Sequence, residues 1–165
     1  MAPVNGRPAA AASNQASAGH RSVDTAAVAD APRSFPPLRN ILAVAAGGAV
    51  GGSLRHALIL AFPTQPGRFP WVIFGENIAG AFLLGLLFTV LALRWPGRQA
   101  LRLFLCTGIL GSLTTFSNYS LDIVALAGQG SFALAWRYSL GSIAAGLAAC
   151  WLGVRAGRAF TGGPA

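Results

Sequence analysis

Residues 108–120 read Gly108-Ile109-Leu110-Gly111-Ser112-Leu113-Thr114-Thr115-Phe116-Ser117-Asn118-Tyr119-Ser120, which sets glycines and hydroxyls inside an apolar run. Paired threonines are poor helix formers, and Gly111 loosens the backbone further. Two local structures satisfy such residues. One is a helix broken near 111–115. A membrane tolerates such a break only where it is buried in protein or lines a wet cavity, and its freed carbonyls suit a hard monovalent cation such as Na⁺. The other is an intact helix whose Ser and Thr hydroxyls bond back to the preceding turn. Phe116 and Tyr119 are three apart, on one face of a helix. Their electropositive ring edges can lean on an anion, or the rings can simply pack in lipid or core.

Other polar residues interrupt the remaining apolar runs. Asn77 follows Glu76, and an amide there can donate to an anion or tie helices together. Tyr138 and Ser142 are four apart and share a helical face that Gly146 continues. Arg55 sits well inside its run and must find a partner, snorkel or face water. Glu76 and Asp122 are the acids within the runs. Either could carry a proton, pair with Arg55 or Arg137, or stay protonated and hydrogen-bonded. His56 reads as interfacial, since no second ligand stands at metal-binding spacing. Cys106 and Cys150 read as small packing residues. No nucleophile–base–acid set and no phosphate loop is present, so an enzyme is not expected.

The elements that must hold these residues follow from composition. Of 165 residues, 54% are hydrophobic and 10% charged, against about a quarter charged in soluble domains. Four apolar runs, about 38–62, 69–93, 101–127 and 132–154, are each long enough to cross a hydrocarbon core of about 30 Å as a helix. Ten-residue alternation is lacking, so a barrel is a poor reading. The expected fold is therefore an all-α integral membrane protein of four transmembrane helices. Residues 1–37, rich in Ala, Pro and Ser, read as a disordered tail without a signal peptide, and 159–165 as a short C-terminal tail. Gly47 with Gly51, Gly48 with Gly52, and Gly141 with Ala145 stand at helix-contact spacing.

All twelve basic residues are Arg, and the net charge is +8. Nucleic acid is not the expected partner, because the arginines gather at the ends of apolar runs, where topology signals sit. Four spans put both termini and the loop at 94–102 on one side. That side holds Arg33, Arg39, Arg94, Arg98, Arg102, Arg155 and Arg158, against Arg55, Arg68 and Arg137 opposite. The bias favours a multi-pass protein of the cytoplasmic membrane with its termini in the cytoplasm.

Together these residues resemble the Fluc/CrcB family of fluoride channels over about 38–158. Gly47-Gly48-Ala49-Val50-Gly51-Gly52-Ser53-Leu54-Arg55 is similar to the family's first helix. Asn77-Ile78-Ala79-Gly80-Ala81-Phe82-Leu83-Leu84-Gly85 is similar to its second, and Gly108 to Ser117 to its third. The resemblance implies passive fluoride efflux that lowers fluoride toxicity, through an antiparallel dimer with two narrow pathways. It also implies a structural, untransported Na⁺ on the backbone carbonyls of Gly111 and Thr114. Phe116 would meet fluoride edge-on, Asn77 would be the pore amide, and Tyr138 and Ser142 would form a polar track. Thr115 and Ser117 add candidate donors, since a pore selective for a strongly hydrated anion must replace its water.

Several positions depart from the family pattern. Tyr119 stands where the family has a second Phe, Ser112 replaces a Gly, Gly146 falls at a track serine, and Asp122 replaces a Glu. Val72-Ile73-Phe74-Gly75-Glu76 replaces Gly-Thr-Leu-x-Val, and an ionised Glu76 facing the pathway would repel fluoride. The dimer is either a homodimer or a heterodimer with an oppositely oriented paralogue, and the Arg bias, which argues for one orientation, favours the second. Two further readings remain: a proton-coupled four-helix exporter using Glu76, and a partner subunit that does not conduct alone.

Overall fold

The computed structural model of the protein describes residues 35–162. The tail expected over 1–37 lies outside the described residues up to position 34, as do residues 163–165 at the other end. The described residues form helices: α1 (Leu38–Ala61), α2 (Trp71–Arg94), α3 (Gln99–Arg102, continuing through Leu103–Leu110 and Gly111–Leu113), α4 (Phe116–Gly128) and α5 (Phe132–Thr161). With α3 and α4 taken as one interrupted span, four segments of 24 to 30 residues are long and apolar enough to cross a membrane. This is the expected all-α, multi-pass architecture with its third span broken.

Small residues set the packing. The main pairings are α2 with α5 and α1 with α3, and α4 also leans on α5. A Cβ placed on Gly153 would run into the Phe82 carbonyl oxygen, and one on Gly85 into that of Cys150. Gly157 lies against Leu86 and Thr89. Across the other pair, Gly47 sits on Phe104 and Gly108, and Gly51 on Ile109. Backbones this close gain dispersion contact that lipid cannot match, because lipid gives helices no hydrophobic reason to associate. Gly47 and Gly51 thus act as a pair. Among the described residues, Gly52 and Gly141 meet nothing within 4 Å, so the spacings Gly48–Gly52 and Gly141–Ala145 are not both-ended contacts there.

Two features depart from the sequence reading. Residues Leu103–Leu110 wind as a π-helix, where the carbonyls of Phe104 and Ile109 turn toward the α1 glycines. Wider turns of this kind are often found at functional sites. The last span also runs seven residues beyond the expected end at 154, to Thr161, and closes on Gly162 at φ 71°. Arg155 and Arg158 do not stop it, because they lie exposed on its surface, and the Arg155 guanidinium rests 5.3 Å from the Trp151 ring. Arg98 over Trp95 and Arg102 over Phe88 make the same kind of contact near the 94–102 loop. Such pairs keep a cation at the interface while its stem covers apolar surface.

Candidate functional site: a clasped helix break

The third span breaks at two residues. Thr114 (φ −71°, ψ 147°) and Thr115 (φ −142°, ψ 125°) are extended, between the turn ending at Leu113 and the start of α4 at Phe116. The break falls within the expected 111–115 window, and Thr114 also shows the back-bonding of the alternative, its Oγ1 donating to the Leu110 carbonyl at 2.9 Å.

An extended pair in a membrane leaves backbone groups in need of partners. Asn77 on α2 supplies two of them. Its Oδ1 accepts from the Thr115 N–H at 2.8 Å, and its Nδ2 donates to the Thr115 carbonyl at 3.1 Å. One side-chain amide therefore pairs with one residue's backbone as a neighbouring strand would. Gly80, one turn along the same face of α2, is where a Cβ would strike the Thr114 methyl. Asn77 and Gly80 together form the seat of the break, which gives that stretch of the second-helix signature a physical meaning. Thr115 Oγ1 then caps α4, accepting from the Asn118 N–H at 3.2 Å and lying 3.1 Å from Ser117 Oγ.

These two interceptions release carbonyls. In an unbroken helix the Thr115 N–H would bond to Gly111, and the Asn118 N–H to Thr114. Here Asn77 takes the first donor and Thr115 Oγ1 takes the second. The Gly111 and Thr114 carbonyls lose those helical partners, and Gly111 lies exposed on the surface of the subunit. Neutral oxygens of this kind fit a hard monovalent cation. Among the described residues, no group of three His, Cys, Asp or Glu side chains could hold a metal.

The aromatic residues form a series running to the break. Phe69 meets Tyr138 edge-on at 5.3 Å between ring centroids, Tyr138 meets Tyr119 at 5.4 Å, and Tyr119 meets Phe116 at 5.6 Å. Tyr138 is fully buried, and its hydroxyl donates to Asp122 Oδ2 at 3.3 Å. The Tyr119 hydroxyl reaches α5 and donates to the Ser139 carbonyl at 3.1 Å. Its phenol therefore ties α4 to α5, which the sequence alone did not indicate. Phe116 is 79% exposed and, with exposed Ser117, faces away from the subunit at the level of the break. Asp122 also borders a cavity of about 280 Å³ lined by Ile73, Asn118 and Leu121.

The remaining candidates are less satisfied. Both Glu76 carboxylate oxygens and the Ser142 hydroxyl oxygen are buried without a hydrogen-bond partner among the described residues. Arg55 on α1 is partly buried and lies within electrostatic reach of Glu76 without bonding to it. Ser112 lies close to Gly48.

Comparison with known proteins agrees with this geometry. The family model described as CrcB-like protein, Camphor Resistance (CrcB), matches residues 42–154. A protein of Streptomyces avermitilis named Fluoride-specific ion channel FluC 3 is 48% identical over 118 residues, covering 72% of this chain and 58% of its own length. FluC 2 of Nocardia farcinica is 39% identical over 134 residues, covering 80% of this chain and 96% of its own. FluC of Methylobacterium nodulans is 49% identical over 109 residues, covering 66% and 88%. Against the Streptomyces protein the chain spans less than two thirds of the relative's length, and against the other two it spans most of it. These relatives are named as channels rather than enzymes, and with the family model matching more than half of its length, the chain belongs to the CrcB-like, fluoride-specific ion channel FluC family.

Proposed function

We propose that the chain is a fluoride-selective channel subunit giving passive fluoride efflux across the cytoplasmic membrane. The observation that carries this reading is the clasped break. It sets an aromatic ring and hydroxyls in mid-membrane, Phe116 and Ser117 on an exposed face and Tyr119, Tyr138 and Ser142 inside. A small, strongly hydrated anion needs donors in place of water and sites weak enough to leave. The donors are the hydroxyl of Ser142 and one of the hydrogen-bonded Thr115–Ser117 pair, and the Tyr138 O–H joins them only when it turns from Asp122. They also include the second N–H of the Asn77 amide, since its Nδ2 gives one bond to Thr115. Ring edges of Phe116 and Tyr119 add weak attraction.

A polar face with Gly111, Phe116 and Ser117 exposed at bilayer depth calls for protein cover, because unsatisfied polar groups in hydrocarbon cost several kcal/mol. A second, oppositely oriented subunit meets that need, break against break. A Na⁺ between the facing Gly111 and Thr114 carbonyls would supply positive charge that fixes the two breaks. The Arg bias supports cytoplasmic termini and, should the purified chain fail to conduct alone, a heterodimer with an oppositely oriented paralogue. The test is efflux from liposomes carrying the purified chain, with chloride as the control and Phe116→Ile alongside. Fluoride release without chloride release, slowed in Phe116→Ile, is the expected result. A non-conducting partner subunit would release neither ion.

The buried, unpartnered Glu76 favours a second reading, a proton-coupled exporter. Fluoride or another solute driven by a pH gradient, and abolished by Glu76→Gln, would establish it.

A further inference from the structure

Glu76 is 6% exposed, and neither carboxylate oxygen has a hydrogen-bond partner. It lies on the inward face of α2, with Ile73 against Tyr119 and Tyr138, Asn77 on the break, and Gly80 under Thr114. Gly75 and Ala79 face outward. Ser142 Oγ is also buried and unpartnered. Gly146 faces Ile78, Gly153 faces Phe82 and Gly157 faces Leu86, a parallel register that puts Ser142 within about one turn of Glu76's level. Two orphaned polar groups thus flank the clasped break from α2 and α5.

The ionisable groups around Glu76 come from several elements. Arg55 of α1 and Tyr138 of α5 lie within electrostatic reach of it, and Tyr138 in turn bonds Asp122 and packs on Tyr119 of α4. On α3, Arg102 and Cys106 lie beside Gly85 and Phe88, about two to three turns farther along α2. A carboxylate at this place repels an anion, whereas a carboxylic acid offers it an O–H donor.

We propose that Glu76 is a proton-operated donor in the anion pathway: carrying a proton it hydrogen-bonds the passing fluoride together with Ser142, and ionised it closes the route. This rests on the reading of the chain as a fluoride channel. The step is a reversible ionisation in which the carboxyl O–H breaks, the proton passes to water, and fluoride crosses unprotonated.

The test reads fluoride current in planar bilayers holding the full chain, since neutral HF carries no current, with pH equal on both sides. Wild-type current is expected to be about tenfold larger in acid than in alkaline buffer, as the repelling charge is removed. Glu76→Gln is expected to conduct at the acid-side level at every pH. Glu76→Val, which has neither charge nor donor, is expected to be flat with pH but below Glu76→Gln. Asp122→Asn is expected to keep the pH response. A wild-type current indifferent to pH would overturn the proposal. So would Glu76→Val equal to Glu76→Gln, or a monodisperse Glu76→Gln that is silent beside a conducting wild type. Fluoride current absent from wild type and every variant at every pH would instead remove the reading of the chain as a channel that conducts alone, and this inference with it.

Discussion

The Asn77–Thr115 pair joins residues 38 apart in sequence, and this separation hides it from local reading. Asn77 is visible as an amide in an apolar run, and Thr114-Thr115 as a weak point. That the amide satisfies the break, rather than only facing the pathway, appears once α2 and α3 are side by side. The Tyr119 hydroxyl is similar. At sequence level it is a departure from an aromatic pattern, and in the fold it bonds Ser139. Tyr119→Phe is therefore expected to lower stability by about 1 kcal/mol, the usual net worth of such a bond, read as a lower melting temperature in detergent. Because the ring stays in place against Phe116 and Tyr138, fluoride efflux is expected to persist. An unchanged melting temperature would mean that the α4–α5 tie contributes nothing.

Among the elements, the four spans are legible, since hydropathy acts locally, while the helix-weakening residues mark the break only as one of two readings that the contact with Asn77 decides. The π-helix at Leu103–Leu110 is not, because it arises from the approach of α1 and nothing in LFLCTGIL marks a wider turn. Glycine spacing is a half-readable signal: it marks the Gly47–Gly51 contact and selects Gly141 equally, which meets nothing within 4 Å among the described residues. The contrast gives a test. Gly51→Val puts a branched side chain where even a Cβ collides with the Ile109 carbonyl, and overpacking of this kind costs about 1–3 kcal/mol or more. Gly51→Val is expected to shift the chain to aggregate or void on size exclusion, while Gly141→Ala elutes as wild type. Equal behaviour of the two would contradict the α1–α3 contact. If a second subunit packs on Gly141, Gly141→Ala would keep the fold and lose only the dimer.

Over the whole molecule, the Arg distribution speaks to how the chain sits in the membrane. Seven arginines flank the side of the termini and the 94–102 loop, and three of them lie over aromatic rings there. That arrangement is expected to fix a single orientation. With Cys106 and Cys150 replaced by Ala, Gln99→Cys is expected to label with a membrane-impermeant thiol reagent only after the cytoplasmic face is opened. Equal labelling from both faces would show dual insertion and support a homodimer. Membrane class is readable from composition because the bilayer constrains every residue. The partner is not, because one chain's sequence carries only half of an interface.

On the proposed function, Asn77 creates the anion route by holding the backbone open at Thr115. The most direct measurement is the fluoride efflux rate from liposomes carrying equal amounts of monodisperse wild type and Asn77→Ala. Asn77→Ala is expected to lose fluoride release by at least about tenfold, since the unpaired Thr115 backbone, worth about 1–3 kcal/mol per orphaned group, would close or displace the break. Release at the wild-type rate from a folded Asn77→Ala would contradict it.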